Sequence, residues 1–480
     1  MTVADAQRSV TAELDRIAPV IDDLGRLFEA AGHELALVGG PVRDAMLGRQ
    51  HNDLDFTTSA RPEQTEKLLG RWGEALWDMG RDFGTIGTRK GPWQVEVTTY
   101  RSETYDPASR NPDVAYGDSL VADLRRRDFT VNAMAVRVPG REVVDPYGGV
   151  IDLAQRVLRT PGTPEDSFSD DPLRMLRAAR FAAQLGFEVA PEVVAAMSAM
   201  AERIDIISAE RVRDELVKLV CAPHPRRGLS LLVGTGLAAR VLPELPALAL
   251  ERDEHHRHKD VYEHTLTVLD QSIGLEDRLP GGGPDFVSRF AALMHDVGKP
   301  RTRTFVGDGT VTFHHHDVVG AKITRNRMRA LRFSNNETDA VSKLVELHLR
   351  FHGYGEGEWT DSAVRRYVRD AGAELARLHV LTRADCTTRN QRKADRLRRS
   401  YDDLEERIER LSVEEELASL RPALDGNQIM TILDLAPGRE VGEAYAFLLE
   451  LRLERGPVAP EAAEAALREW WASRSRRDPA

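Results

Sequence analysis

The sequence predicts a multidomain protein in which an α/β head is followed by an all-helical body. Three observations lead to this prediction. The chain has 480 residues, more than one hydrophobic core usually supports. Between residues 34 and 150, short apolar runs alternate with turns, as in a mixed α/β domain. Beyond residue 151, segments with helical periodicity replace the strand signals.

Composition and charge narrow the class of protein. The net charge of -11 argues against a surface that coats nucleic acid generally, although it leaves room for a local basic groove. No apolar run approaches the roughly 20 residues of a membrane-spanning helix, and the polar start MTVADAQ is unlike a signal peptide. The only two cysteines, Cys221 and Cys386, lie far apart, so we expect a reducing, cytoplasmic location.

The first predicted element is an amphipathic helix over residues 10–31. Its apolar positions recur at helical spacing and are Val10, Leu14, Ile17, Ile21, Leu24 and Phe28. Further helices are predicted at 172–220, 227–240, 286–297, 316–331, 336–350, 361–385 and 389–420.

The stretch LVGGPVRDAMLGRQHNDLDF begins with a candidate phosphate-binding turn. Gly39 and Gly40 follow an apolar strand, where backbone without side chains can approach a ligand closely. A helix is expected to begin near Pro41, and its free N–H groups favour a bound phosphate. Arg43 would add a charged hydrogen-bond donor.

Two alternating carboxylates end the same stretch. Asp53 and Asp55 are two residues apart, so on a strand both side chains lie on one face. Such a pair suits two Mg²⁺ ions that support in-line transfer of a nucleotide. Glu96, in QVEVTTYR, is a candidate third carboxylate.

Four further motifs follow in order along the chain: RRDFTVNAMA at 126–135, DPYGGVIDL at 145–153, DDPLRMLRAARFAAQLGF at 170–187 and ERVRDEL at 210–216. With the first stretch, they resemble the signatures of the class II tRNA nucleotidyltransferases, the CCA-adding enzymes related to bacterial poly(A) polymerases. The resemblance covers roughly residues 33–250. It implies a polymerase beta-like nucleotidyltransferase head and a helical neck.

The resemblance also implies roles for individual residues. Asp53 and Asp55 would be catalytic and would bind Mg²⁺. The residues implied in nucleotide binding are Gly40, Arg43, Arg126, Asp128, Asn132, Asp171, Arg174, Arg177 and Arg180. Among them, Asp171 and Arg174 would read the base edge of CTP or ATP, since a carboxylate and a guanidinium one helical turn apart offer an acceptor and donors. For Arg177 and Arg180, a nucleotide contact and a salt-bridged helix face both remain open.

The implied activity is addition or repair of the 3′-terminal CCA of tRNA from CTP and ATP, with release of pyrophosphate. The segment GRDFGTIG at 80–87 resembles the CCA-adding enzymes more than the poly(A) polymerases. Enzymes restricted to C or to A stay open, because they differ in a loop near residues 103–118. The implied partners are the tRNA 3′ end, CTP and ATP, without a membrane; the oligomeric state is left undetermined.

A second centre is predicted around HDVGKP at 295–300. His295 and Asp296 are adjacent, and with His264 and Asp385 they resemble the ligand set of the HD phosphohydrolase superfamily. Such ligands suit a divalent transition metal or related ion, namely Mn, Ni, Fe or Mg. His316 and His348 are candidates for a second metal or a phosphate contact. Exposed or core-capping positions, without a ligand role, are expected for His255, His256, His258, His314 and His315.

This second centre keeps another function open: a metal-dependent phosphohydrolase whose head only binds nucleotide or RNA. A non-catalytic tRNA-binding module is a third alternative. Intact Asp53, Asp55, Arg126 and Asp128 argue against both.

A basic segment lies near the carboxyl end, formed by Arg389, Arg392, Lys393, Arg396, Arg398 and Arg399. It is a candidate surface for tRNA phosphates, although the acidic run at 402–407 offers internal salt bridges instead. The predicted domains are the head at 1–150, the neck for nucleotide selection and RNA binding at 151–223, the body at 224–254, the HD phosphohydrolase domain at 255–400 and the helical tail at 401–480.

Overall fold

The computed structural model describes residues 2–78, 84–104, 113–117, 119–250, 260–305, 307, 311–353, 359–388, 390–415 and 421–475. The chain divides into two compact units, Met1–Pro243 and Glu244–Ala480. Several predicted features lie outside the described residues: His255, His256, His258, Arg389, residues 80–83 and most of the loop near 103–118.

The amino-terminal unit combines one large sheet with helices. Its elements are α1 Val3–Arg16, α2 Ala18–Ala30, β1 Leu35–Val38, α3 Gly40–Met46, β2 Asp53–Thr58, α4 Pro62–Trp72, β3 Ala75–Trp77, β4 Thr85–Lys90, β5 Trp93–Thr99, β6 Arg101–Thr104, β7 Asp113–Tyr116, α5 Leu120–Arg125, β8 Ala135–Val138, β9 Glu142–Val144, α6 Gly149–Gln155, β10 Val157–Leu158, α7 Pro164–Asp170, α8 Leu173–Leu185, β11 Glu188–Val189, α9 Pro191–Ala199, α10 Ala209–Val220, α11 Pro225–Gly234 and α12 Ala238–Val241.

The large sheet has seven strands in the order β3-β4-β5-β2-β1-β8-β9. Only β2 and β5 run parallel; the other neighbours are antiparallel. The strand β2, which begins at Asp53, therefore lies between two partners near the middle of the sheet. The predicted α/β class of the head is confirmed.

The predicted helix over residues 10–31 is instead two helices. The apolar positions are buried as expected, but α1 ends at Arg16 and α2 begins at Ala18. Pro19 explains the break, because a proline has no N–H to donate and fits only the first turn of a new helix. The predicted segment 172–220 is likewise interrupted, since Gly186 has φ +71° and ends α8.

Helix α8 is the centre of the neck. It is buried along most of its length and packs closely against α11, where a side chain on Gly228 would approach the Ala179 carbonyl oxygen to 2.4 Å. Glycine at this position therefore allows the backbones of the two helices to touch.

Buried ion pairs join α8 to its neighbours. The guanidinium of Arg177 donates from Nε (2.8 Å) and Nη2 (2.6 Å) to Oδ2 of Asp128, which precedes the 3₁₀ turn Thr130–Asn132. One turn along α8, Arg180 Nε donates to Glu215 Oε2 of α10 at 2.6 Å. Burial alone would raise the pKa of Asp128, but Arg177 and Asn132 lower it to about 2.

The carboxyl-terminal unit is almost entirely helical. Its elements are α13 Glu244–Ala247, α14 Val261–Ile273, α15 Phe286–Met294, α16 Lys299–Thr302, β12 Thr304–Phe305, β13 Val311–Thr312, α17 His316–Ala330, α18 Asn335–Leu347, α19 Asp361–Ala371, α20 Leu375–Ala384, α21 Gln391–Glu415, α22 Gly426–Leu433, α23 Arg439–Arg455 and α24 Pro460–Ser475. Among the described residues, no helix is both long and apolar enough to cross a bilayer.

The predicted helical body is thus confirmed, whereas the predicted domain boundaries remain predictions. The segment 224–254 extends across the division at Pro243 and Glu244. The last three helices form a small core of their own around Ile429, Leu448 and Leu467.

We expect the substitution Arg177→Gln to lower the free energy of unfolding of the amino-terminal unit by about 3 kcal/mol at pH 7, because buried Asp128 then lacks its charged partner. With a folded pKa of about 2, the paired carboxyl stabilises the fold above its unfolded pKa of about 4 and loses this contribution as the pH falls towards 2. In the variant, the unpaired carboxyl accepts a proton more readily. The loss in free energy of unfolding, relative to the wild-type protein, should therefore be smaller at pH 4.5 than at pH 7, as measured by calorimetry.

The matched control is Arg8→Gln, because Arg8 is 73% exposed and pairs with Asp5 on the surface of α1. Its effect should stay below about 0.5 kcal/mol at either pH. A deficit of Arg177→Gln that is equal at pH 7 and pH 4.5 would contradict a charge-based role for the pair.

Candidate active sites

Three carboxylates meet at the start of β2. Asp55 lies opposite Glu96 in the parallel register of β2 and β5, and Asp53 lies two residues earlier on the same face of β2. Burial raises the pKa of the Asp55 carboxyl, and the charges of Glu96 and Asp53 raise it further, although Arg127 lowers it. Three carboxylates that repel one another are what a divalent cation would neutralise, so these residues fit a metal ion.

The glycine turn beside these carboxylates is shaped for close approach. Gly39 has φ +72° and ψ -131°, and a side chain there would come within 2.9 Å of Nη1 of Arg127. Arg127 is thus the arginine that reaches both the turn and the charge of Asp55. Arg126 and not Arg127 was predicted from the sequence, because the two are adjacent in RRD and nothing in the motif indicates which one faces the turn.

Arg43 is held by other side chains of the head. It is buried, and its guanidinium donates to both oxygens of Asp44 at 2.9 Å and to Oδ1 of Asn132 at 2.7 Å. The neighbouring carboxylate of Asp44 pairs with the guanidinium inside the fold. Arg43 therefore braces the turn that contains Asn132, and its expected contact with a phosphate stays a prediction.

An arginine of α1 holds the loop that leads into β2. Arg16 Nη2 donates to the His51 carbonyl oxygen at 2.6 Å, and Nη1 donates to Asn52 Oδ1 at 3.3 Å. Glu13 fixes the same guanidinium through two hydrogen bonds. Because Asp53 follows directly, this clamp sets where the first carboxylate begins.

Asn132 lies near the same glycine turn, since a side chain on Gly39 would come 4.0 Å from its carbonyl oxygen, and Asn132 is hydrogen-bonded to Asp128. Asn132 Nδ2 and the Phe129 N–H both donate to Asp128 Oδ1 at 2.9 Å, so this oxygen organises the 3₁₀ turn. Arg126 donates instead to Oδ1 of buried Asp123, from Nε at 3.1 Å and Nη2 at 2.9 Å. Asp123 was not predicted, because a carboxylate within a short helix gives no sign of burial.

Asp171 and Arg174, the predicted base-reading pair, are both held by protein groups. Asp171 Oδ2 accepts from Arg211 at 2.8 Å. Arg174 is buried and donates to Ser167 Oγ at 3.0 Å and to the Arg126 carbonyl oxygen at 2.5 Å. A nucleotide that uses these side chains would displace such partners, among which Arg211 and Ser167 were missed.

The remaining neck arginines form salt bridges. Arg177 binds Asp128 and Arg180 binds Glu215, and the guanidinium of Arg180 also lies 3.9 Å from the ring centroid of Phe181. Of the two alternatives left open by the sequence, the geometry favours the salt-bridged helix face for both.

The carboxyl-terminal unit brings all four predicted ligands of the second centre together. Nε2 of His264 lies 3.0 Å from Asp385 Oδ1, 3.3 Å from His295 Nε2 and 3.5 Å from Asp296 Oδ2. The ligand atoms of His264, His295 and Asp385 all lie within 4.8 Å of one another.

A second group adjoins the first. Asp296, His316 and His348 also have ligand atoms within 4.8 Å of one another, and Asp296 Oδ1 lies 3.4 Å from His316 Nε2. The Nε2 atoms of His316 and His348 are buried without a hydrogen-bond partner. Buried polar atoms without partners are rare, and a metal ion would satisfy them.

The ring orientations support this interpretation. Nδ1 of His295, His316 and His348 lies 2.8, 2.8 and 2.6 Å from the carbonyl oxygens of Ala292, Phe313 and Val345. A proton on each Nδ1 leaves Nε2 as a lone-pair donor facing the centre, which is the usual arrangement of metal-binding histidines.

Strong charge coupling marks the cluster. Burial opposes a charge on His295, but Asp296 and Asp385 raise its pKa. Burial and His295 lower the pKa of His348 to about 4, so that ring stays neutral at physiological pH. Lys299 Nζ also lies 2.6 Å from Asp296 Oδ2 and supplies one positive charge.

Comparison with known proteins gives three consecutive family matches. Residues 35–159 match the poly(A) polymerase head domain, residues 186–248 match the probable RNA- and SrmB-binding site of polymerase A, and residues 261–390 match the HD domain.

Individual proteins resemble longer parts of the chain. It is 35% identical over 443 residues to the A-adding tRNA nucleotidyltransferase of Deinococcus radiodurans, covering 91% of this chain and 95% of that protein. It is 41% identical over 269 residues to the CCA-adding enzyme of Levilactobacillus brevis, covering 55% and 65%. The crystal structure of the Bacillus stearothermophilus CCA-adding enzyme in complex with CTP aligns with a TM-score of 0.66 at 26% identity, over 95% of this chain and 98% of that one.

Proposed function

The chain belongs to the class II tRNA nucleotidyltransferases, the family of CCA-adding enzymes, and from that premise we propose that it extends the 3′ end of tRNA with nucleotides from CTP and ATP. One observation carries the proposal: Asp53, Asp55 and Glu96 face one another beside the Gly39 turn, in the unit that also contains Asp171 and Arg174. Family membership also confirms the predicted enzyme class and disfavours a head that only binds nucleotide.

In this proposal Asp53 and Asp55 hold Mg²⁺, with Glu96 as a neighbouring carboxylate. A Mg²⁺ ion held there would supply Lewis-acid chemistry, which favours attack of the tRNA 3′-hydroxyl on the α-phosphate and departure of pyrophosphate. The protein's own part is to fix the geometry: Arg16 holds the loop before Asp53, and Arg127 offers a positive charge between the carboxylates and the turn at Gly39 and Gly40.

The neck supplies nucleotide selection in this proposal. Asp171 and Arg174 offer an acceptor and donors to the base edge of CTP or ATP. Arg177 and Asp128 keep α8 in place behind them, since their bidentate pair ties the helix to the 3₁₀ turn. In this proposal Arg126, which precedes that turn, and Asn132, within it, would contact the sugar and phosphates of the nucleotide.

The number of nucleotides added has two candidate answers. The CCA-adding relatives and the CTP complex favour addition of all three nucleotides. The A-adding enzyme of Deinococcus radiodurans, which matches over 91% of this chain, favours addition of the terminal A alone.

We further propose that the carboxyl-terminal unit hydrolyses phosphoesters. The first metal would be held by His264, His295, Asp296 and Asp385, and His316 and His348 would hold a second. Nitrogen and carboxylate ligands of this kind suit Mn²⁺, Ni²⁺, Fe²⁺ or Mg²⁺. The sequence contains only two cysteines, far apart along the chain, which supports a cytoplasmic location.

The reaction can be identified with three tRNA transcripts that end before CCA, after the first C and after CC. With labelled CTP and ATP, an enzyme that completes the end extends all three to CCA, because one site then selects both bases. Extension of the CC transcript alone would identify an A-adding enzyme. Long A tails, or no extension of any transcript, would contradict the proposal.

We expect Asp53→Asn and Asp55→Asn to reduce nucleotide incorporation by at least about 10³-fold, because each removes a metal-binding charge at the transferred phosphate. Hydrolysis of phosphoesters by the carboxyl-terminal unit should be unchanged. The exposed Asp23 offers a control: Asp23→Asn removes a carboxylate of the same unit and should preserve incorporation. Loss of both activities in Asp53→Asn would argue against two separate sites.

Divalent metal binding at the His–Asp centre can be tested without activity. Mn²⁺ should raise the calorimetric Tm of the wild-type protein, by a margin that grows with metal concentration. His264→Ala should reduce this rise, since Nε2 of His264 lies within 3.5 Å of atoms of three other predicted ligands. His314→Ala removes an exposed histidine nearby and should leave the rise intact. Equal responses of all three proteins would place the metal elsewhere.

A further inference from the structure

Helix α21 has two opposite faces. One face is buried through Ala394, Tyr401, Leu404 and Ile408, which pack into the carboxyl-terminal unit. On the other side, Arg392, Arg396 and Arg399 are exposed and spaced i, i+4 and i+7. This spacing places the three guanidinium groups within roughly 60° around the helix axis. We call these three residues the arginine stripe.

The arginine stripe has no ion-pair partner among the residues that the structure describes. The neighbouring Arg398, by contrast, has an ion-pair partner: its Nη1 lies 3.1 Å from Asp395 Oδ1. Like charges at i, i+3 and i+4 repel one another along a helix. The stripe therefore concentrates positive charge that nothing in this part of the protein neutralises, on a chain with a net charge of -11.

Two carboxylates of the acidic run that follows, Asp402 and Glu405, are engaged by other elements. Asp402 accepts from Arg383 at 2.8 Å, and Glu405 accepts from Arg383 and Arg278. These partners lie on α20 and on the 3₁₀ turn Glu276–Arg278. The sequence left internal salt bridges open as an alternative role for the basic segment. In the structure, these carboxylates of α21 form salt bridges with other elements instead of with the stripe.

We propose that the arginine stripe of α21 binds the phosphate backbone of tRNA. Arginine forks match phosphate oxygens, and a straight row of three suits a polyanion with regularly spaced charges. The buried opposite face keeps the helix rigid, so the charges are held in place before RNA arrives. This inference rests on the proposed tRNA substrate and adds the surface that holds it.

The position of the stripe supports an RNA partner. Arg392 follows the ligand Asp385 by seven residues, a distance of at most about 25 Å along the chain. Within this link, Thr387 Oγ1 lies 3.1 Å from Nδ1 of His264. The stripe therefore begins within about 25 Å of the His–Asp centre, where phosphoesters are the proposed substrate.

The test compares tRNA binding by the wild-type protein and the variant R392Q/R396Q/R399Q. Binding of a labelled tRNA transcript without CCA is followed in KCl solutions of increasing concentration, without nucleotide. We expect the affinity at 0.1 M KCl to fall by about tenfold or more, and the slope of log affinity against log salt to become shallower by about 2 to 3, since each lost phosphate contact removes nearly one unit.

A matched control removes the same charge elsewhere in the same unit. The variant R366Q/R439Q/R468Q replaces exposed arginines that pair with Glu450, Glu443 and Glu464. Its salt slope should equal that of the wild-type protein. R392K/R396K/R399K, which keeps the charges, should also keep most of the slope.

Equal salt slopes for the wild-type protein and the stripe variant would overturn the proposal. An equal change of slope in the stripe variant and the control variant would also overturn it, because it would show an effect of net charge alone. If the triple variant does not fold, R396Q alone should still make the slope of log affinity against log salt shallower by about one. This assay measures tRNA binding without nucleotide. A protein that binds tRNA through the stripe but adds no nucleotide is therefore distinguished from one that adds nucleotides without using the stripe.

Discussion

The buried pair between Asp128 and Arg177 is the interaction on which the amino-terminal unit depends. A carboxylate at this depth must be paired, and Arg177 satisfies it with two donors while Asn132 satisfies the other oxygen. A buried ion pair adds little net stability over an apolar contact, but it tolerates few alternative geometries. Since Arg174 is one turn earlier on the same helix, the pair also determines where that side chain, predicted to read the base, is held.

Both candidate centres concentrate groups that repel each other or compete for protons. At β2 and β5 three carboxylates converge, with Arg127 as a partial counter-charge. At the second centre, imidazole nitrogens and carboxylates converge, and Lys299 is a partial counter-charge. In each case one fixed cation of the protein moderates the charge without cancelling it. Each site thus favours an added cation.

Features that follow from the order of residues along the chain could be predicted from the sequence. The hydrogen-bond and ion-pair partners of individual side chains could not, because they depend on which groups lie close together in space. The alternation of Asp53 and Asp55, the two-part fold and the four ligands of the second centre follow from spacing and resemblance, and the structure brings each set together. The direction of an arginine does not follow from spacing. Arg43 turned inward because Asp44 lies beside it, and Arg127 rather than Arg126 faces the glycine turn. The break at Pro19 was readable, yet the continuous apolar stripe concealed it.

The strand order of the head has a consequence for its synthesis. Leu35 of β1 pairs with Val138 of β8, about a hundred residues later, and Arg141 then bonds Asp15 and Asp22 of the first two helices. At a translation rate of roughly 5–20 residues per second, β1 waits on the order of 5–20 s for that partner. During this interval one edge of β1 is an unpaired strand with four apolar residues. The nascent head is therefore most vulnerable to aggregation while its middle is being translated, and it becomes safe only when β8 closes the sheet.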